Sequence, residues 1–140
     1  MNVFAFAAVV TVLFGQVTPQ SFVGTWAAEF KGVTYARLEL QNESGSISGR
    51  VSLGGIHVTN DGTVDEVSFP ATNWTPVFDV RLSNGVLTFA RKDGDDIDRF
   101  ELRLLGSDAE LTLVFTADDR ERLAQEDVPL PKPFRLTPSK

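Results

Sequence analysis

The sequence predicts an all-β protein: an eight- or nine-stranded antiparallel up-and-down meander β-barrel with a short C-terminal helix. Three observations carry this. Turn dipeptides recur along the chain as Lys31-Gly32, Ser44-Gly45, Asp61-Gly62, Asn84-Gly85 and Asp93-Gly94, at the spacing of about 8–12 residues expected of a sandwich or barrel. Between the turns, oily and polar residues alternate with period two, the mark of strands with one dry face. Short turns make successive strands neighbours, and so many strands in one meander close up to remove their edges.

The elements follow in order. Residues 1–20 form a hydrophobic N-terminal segment without a charged side chain, and Val3–Phe14 (VFAFAAVVTVLF) is apolar apart from Thr11. That run is shorter than the roughly 20 residues a membrane span needs and matches the apolar core of a signal peptide. Secretion, or export to a periplasm, is therefore expected, although no basic residue precedes the run and no clean cleavage site follows. An uncleaved anchor and a first buried strand are the alternatives. Residues 21–140 are expected to form a single β-barrel domain with no integral membrane span.

In the first strand Phe22, Gly24, Trp26, Ala28 and Phe30 share a face. Ala36, Leu38 and Leu40 follow on the inward side, opposed by Tyr35, Arg37 and Glu39. Then come Ile47, Gly49, Val51 and Leu53, and after an irregular stretch over Gly54–Phe69 the set Phe78, Val80 and Leu82. Phe100, Leu102 and Leu104, then Leu111, Leu113 and Phe115, complete the inward face. Thr116 precedes Ala-Asp-Asp and is placed to cap a short helix through Asp119. Beyond it, VPLPKPFRLTPSK has four prolines, which argues against a central strand. Phe134, Arg135 and Leu136 are expected to add at most a short closing strand.

Composition narrows the function. The chain has 140 residues and a formal charge of −6, so phosphate backbones and anionic membranes are repelled, and no nucleic acid partner is expected. The absence of cysteine removes disulfides, thiol catalysis and thiolate metal sites. The single histidine, His57, has no G-x-S-x-G elbow to serve, so no catalytic residue is assigned. Asp93, Asp95, Asp96 and Asp98 crowd one hairpin tip without the spacing of an EF-hand loop, and no metal site or cofactor is assigned. The charged ladder Arg37, Glu39, Arg50, Asp79, Arg81, Arg99, Glu101 and Arg103 reads as cross-strand ion pairs on the wet face.

Two stretches carry a resemblance. Val23-Gly-Thr-Trp26 at the first strand of a small meander barrel resembles the calycin superfamily, lipocalins in particular. Gly45–Val51 (GSISGRV) adds a weaker similarity to avidins, whose several ring-stacking tryptophans are not matched by Trp26 and Trp74 alone. The resemblance implies that Trp26 plugs the closed end of the barrel with a late cation packed on it, for which Arg103 and Arg135 are the candidates.

The function that follows is non-enzymatic: binding or carrying a small hydrophobic ligand. The alternative is a protein-binding module, of inhibitor or scaffold type, whose barrel is filled. The large inward residues are enough to fill an eight-stranded lumen, whereas Gly24, Ala28, Ala36 and Gly49 leave room on one side. The candidate ligand contacts are Trp26, Ala36, Trp74 and Phe78. Trp26 also suits a buried core position with its indole N–H satisfied locally.

Overall fold

Alternating side chains and glycine-containing turns place eleven strands in a computed structural model, which describes residues 17–139. They are β1 (Gly24–Phe30), β2 (Val33–Glu43), β3 (Ser46–Leu53), β4 (Gly55–Val58), β5 (Val64–Phe69), β6 (Thr75–Pro76), β7 (Phe78–Ser83), β8 (Val86–Asp93), β9 (Asp96–Leu105), β10 (Asp108–Val114) and β11 (Phe134–Ser139). Helix α1 (Ala117–Gln125) follows β10. The apolar run Val3–Phe14 lies outside the described residues. Among the described residues no helix is long and apolar enough to cross a membrane.

Nine strands form one antiparallel sheet in the order β6-β3-β2-β1-β11-β10-β9-β8-β7, while β4 and β5 pair separately. The sheet curls into a nearly closed barrel. The hairpin turns have the predicted chemistry: Lys31-Gly32, Ser44-Gly45 and Asn84-Gly85 each place both central residues at positive φ, as a I′ turn requires. Thr116 caps α1, its hydroxyl accepting from the Asp119 N–H at 3.1 Å.

Closure depends on one kinked segment. Thr75 and Pro76 pair with Val51 and Arg50 of β3, and the Val77 N–H donates to the Gly49 carbonyl at 3.0 Å. The chain then crosses over, and β7 pairs with β8. A single run, Thr75–Ser83, therefore touches both ends of the sheet.

The proline-rich tail corrects the sequence reading. β11 is a central strand, inserted between β10 and β1. It is tolerated because its two neighbours are staggered. Phe134–Leu136 pair with β10, and Thr137–Ser139 pair with β1, Pro138 opposite Trp26. Pro138 thus lies where β10 has already ended, so the strand is locally an edge.

The lumen is filled. Phe22, Leu38, Leu40, Val51, Leu87, Phe89, Phe100, Leu102, Leu111 and Leu136 are all essentially sealed from solvent. Phe89 stacks on Phe100 with centroids 5.2 Å apart. Each such side chain contributes roughly 1.5–3 kcal/mol by burial, which lets the domain dispense with disulfides.

Two bulges in the nine-stranded sheet break the alternation. The β1–β2 register shifts between Ala28 and Glu29, leaving Tyr35 as the extra residue between Thr34 and Ala36. Tyr35, expected outside, is buried beside Ala36. The β7–β8 register shifts between Phe78 and Arg81, with Asp79 at φ 54°. Phe78, expected inside, is consequently 38% exposed. An inserted residue flips every side chain beyond it to the opposite face.

Candidate functional site

The two ends of the barrel are built differently. At one end Phe22 enters from a 3-10 turn (Pro19–Phe22), fully buried. Trp26, 6% exposed, donates its indole N–H to the Phe22 carbonyl at 3.0 Å. The satisfied indole and packed ring make Trp26 part of the core. Among the described residues no late cation sits on it: Arg135 instead pairs with Asp108 at 3.0 Å and Arg103 with Glu101 at 3.6 Å.

At the other end the strands leave a cavity of about 470 Å³, within the size range of small-molecule sites. Leu53, Ile56, Phe69, Leu113, Pro131 and Phe134 supply its apolar wall. Phe69, at the end of β5, is 59% exposed there, its ring lying across Gly55. The rest of the lining is polar, from Tyr35, Asn73, Thr75, Arg91 and Asp93, so the wall is about half apolar and half polar.

Three excursions from the barrel frame this mouth. The first is the β4–β5 hairpin. The second is the segment from Pro70 to Trp74, anchored where the Ala71 N–H donates to the Thr34 carbonyl at 2.9 Å. The Gly54 N–H likewise donates to the Tyr35 carbonyl at 2.7 Å, so the bulged stretch of β2 holds both passing chains. The third is the proline-rich strap after α1. Its Lys132 N–H donates to the Gly62 carbonyl at 2.9 Å, and its ammonium reaches Asp61 at 3.3 Å and the Thr63 hydroxyl at 3.4 Å. A Cβ on Gly62 would collide with the Leu130 carbonyl, so the hairpin and strap approach backbone to backbone. Asp61 also accepts from the Thr59 hydroxyl and the Thr63 N–H, and these bonds hold its carboxyl well below the usual aspartate range. A second cavity, of about 370 Å³, lies between β4 and the strap and shares Ile56 and Pro131 with the first.

The electrostatics of the mouth centre on Arg91. Its side chain is 14% exposed, its Nε donates to Asp98 at 3.0 Å, and a terminal nitrogen lies 4.0 Å from Asp93. The guanidinium also lies 5.9 Å from the centre of the Phe100 ring. Tyr35, 8% exposed, is held edge-on by Phe134 with centroids 5.3 Å apart. Burial raises its phenol pKa.

The four sequence candidates are scattered. Trp26 is in the core. Ala36 is completely buried and its face is packed. Trp74 lies on the outer surface, its ring 4.8 Å from the Arg37 guanidinium and 4.3 Å from that of Arg50, while its neighbours Asn73 and Thr75 line the mouth. Phe78 lines a separate groove of about 390 Å³ between β3 and β7. Tyr35, Phe69 and Arg91 were not singled out by sequence. Tyr35 was hidden by the bulge, Phe69 by the irregular stretch around it. Arg91 carried no motif, although its place at the end of β8 opposite Asp98 follows from the hairpin register.

Two further titratable groups are shifted by local pairing. His57 lies 2.6 Å from Asp65 on the exposed face of the β4–β5 hairpin, and this hydrogen bond raises its pKa. Asp79 is held down by Arg99 and Arg81. Among the described residues no three metal-ligating side chains converge. Comparison of the chain with protein-family models, with curated proteins and with solved structures finds no match.

Proposed function

We propose that this chain is an exported, non-enzymatic binding protein that takes a small hydrophobic molecule into the mouth cavity. The observation that carries the reading is the contrast between a packed lumen and a cavity of about 470 Å³ above it whose wall is apolar on one side, with Phe69 half-open to solvent. An exposed aromatic over a concave apolar wall gains contact area when a ligand arrives. The calycin likeness of Val23–Trp26 supports the same reading, since a closed end plugged by Trp26 leaves the opposite end for binding. The apolar run Val3–Phe14 supports export.

The test is a titration with N-phenyl-1-naphthylamine, a neutral fluorescent probe. Saturable binding that Phe69→Ala weakens supports the reading; absence of saturable binding to this probe and to a panel of apolar competitors overturns it. A second reading is favoured by the groove at Phe78: a protein partner docked along the seam, where Ser46–Ser48 of β3 have no strand partner on the β7 side among the described residues. Phe78→Asp would then abolish capture of that partner and leave probe binding unchanged.

A further inference from the structure

We infer that the ligand of the mouth cavity is uncharged and bears a hydrogen-bond-accepting oxygen, set against the Tyr35 hydroxyl, on an otherwise apolar body. This rests on the proposed binding function and specifies its chemistry.

Tyr35 supplies the first half of the argument. The residue is 8% exposed and lines the cavity, and its hydroxyl meets no hydrogen-bond partner among the described residues; the sealed, unpartnered oxygen is that of Ser52, so the Tyr35 hydroxyl opens to the cavity. There a ligand oxygen can take the place of water. The bulge in β2 directs this residue inward, and the edge-on contact with Phe134 fixes its ring. At neutral pH, far below the ordinary phenol range, it is an O–H donor. An incoming oxygen replaces water as its acceptor.

Charge supplies the second half. The cation at the cavity wall is Arg91, and it faces two carboxylates, Asp98 at 3.0 Å and Asp93 at 4.0 Å. Asp93 itself lines the cavity. The wall itself therefore carries one positive group, Arg91, and one negative group, Asp93, which lie 4.0 Å apart, while Asp98 holds the guanidinium from outside the lining. A ligand carboxylate would sit near Asp93 with no uncommitted cation to neutralise it. A ligand ammonium could face Asp93, but that carboxylate already lies beside Arg91, so the cation would give up its hydration for a shared partner. A hydroxyl, carbonyl or ether oxygen meets neither penalty.

The experiment displaces N-phenyl-1-naphthylamine from the protein with decanol, its methyl ketone counterpart, decanoate and decylamine, which share an alkyl body. The expected result is that decanol and the ketone bind about tenfold or more tighter than decanoate and decylamine. Tyr35→Phe, which removes one oxygen and keeps the packing, should weaken decanol about fivefold more than it weakens the probe. A second readout uses the one tyrosine of the chain: bound decanol should shift Tyr35 ionisation, followed by ultraviolet absorbance, to higher pH. Decanoate or decylamine binding as tightly as decanol overturns the inference while leaving the binding function standing. So does decanol binding that neither Tyr35→Phe nor the tyrosine titration registers. Failure of the probe and of every competitor to bind overturns the binding function itself.

Discussion

Two phenylalanines, replaced one at a time, separate the packed lumen from the open mouth. Phe89 is 1% exposed and stacked on Phe100. Phe89→Ala forfeits roughly 1.5–3 kcal/mol of burial and about 0.5–1.5 kcal/mol of ring–ring contact, and it leaves a void. The expected loss is ~3–5 kcal/mol, a large share of the roughly 5–15 kcal/mol that holds a domain together. Phe69 is 59% exposed, so Phe69→Ala should move stability by no more than about 0.5 kcal/mol. A ligand covering that open half of the ring would gain about half of a full burial term, ~1 kcal/mol. Probe affinity in Phe69→Ala should therefore fall about fivefold. Urea unfolding followed by the fluorescence of buried Trp26 measures the first quantity, and probe titration the second. A cost below ~1 kcal/mol for Phe89→Ala would refute the filled lumen. Unchanged probe affinity in Phe69→Ala would refute the mouth as the binding surface.

Three other measurements bear on the same structure. Ser52 is fully buried with its hydroxyl unpartnered; Ser52→Ala should stabilise the fold by ~1 kcal/mol in chemical denaturation, and a loss of stability would mean that the oxygen has an unseen partner. Asp61 is depressed by its bonds from Thr59, Thr63 and Lys132, so the tie it makes is present above the ordinary aspartate pKa and is lost as pH falls through the lower folded value. Asp61→Asn should speed exchange of the Lys132 amide at neutral pH, and equal exchange rates in the two proteins would show that the carboxylate is not what holds the strap. Tyr35, whose pKa burial raises, favours folding below the free phenol pKa. That contribution disappears as pH rises through the folded value, so alkaline unfolding should begin later in Tyr35→Phe than in the parent protein, and coincident transitions would contradict the burial of the phenol.

The barrel was legible because its signals are local. Turn pairs such as Ser44-Gly45 and Asn84-Gly85 announce hairpins, and period two sorts Leu38, Leu40, Phe100 and Leu102 inward. Thr116 declared the helix through its own cap. What escaped reading was set by events without a local signature. An extra residue at Tyr35 and another near Asp79 invert the parity that sequence alternation assumes, and this exchanged the places expected of Tyr35 and Phe78. β11 escaped because its prolines argue against a central strand, and only the stagger of β10 and β1 makes Pro138 acceptable. The mouth is assembled from segments far apart in the chain, Leu53, Phe69, Arg91 and Phe134 among them, and no spacing rule joins those.

The position of β11 also governs how the molecule is made. Trp26 must wait for Pro138, over a hundred residues downstream, before β1 gains its second neighbour. During synthesis the growing polypeptide therefore carries two unsatisfied strand margins, on β1 and on β10, until Phe134–Ser139 emerges. Such long-range closure makes for slow maturation and for nascent chains that stick to one another edge to edge. A cell producing this barrel has reason to keep those margins covered until the final strand slots between them.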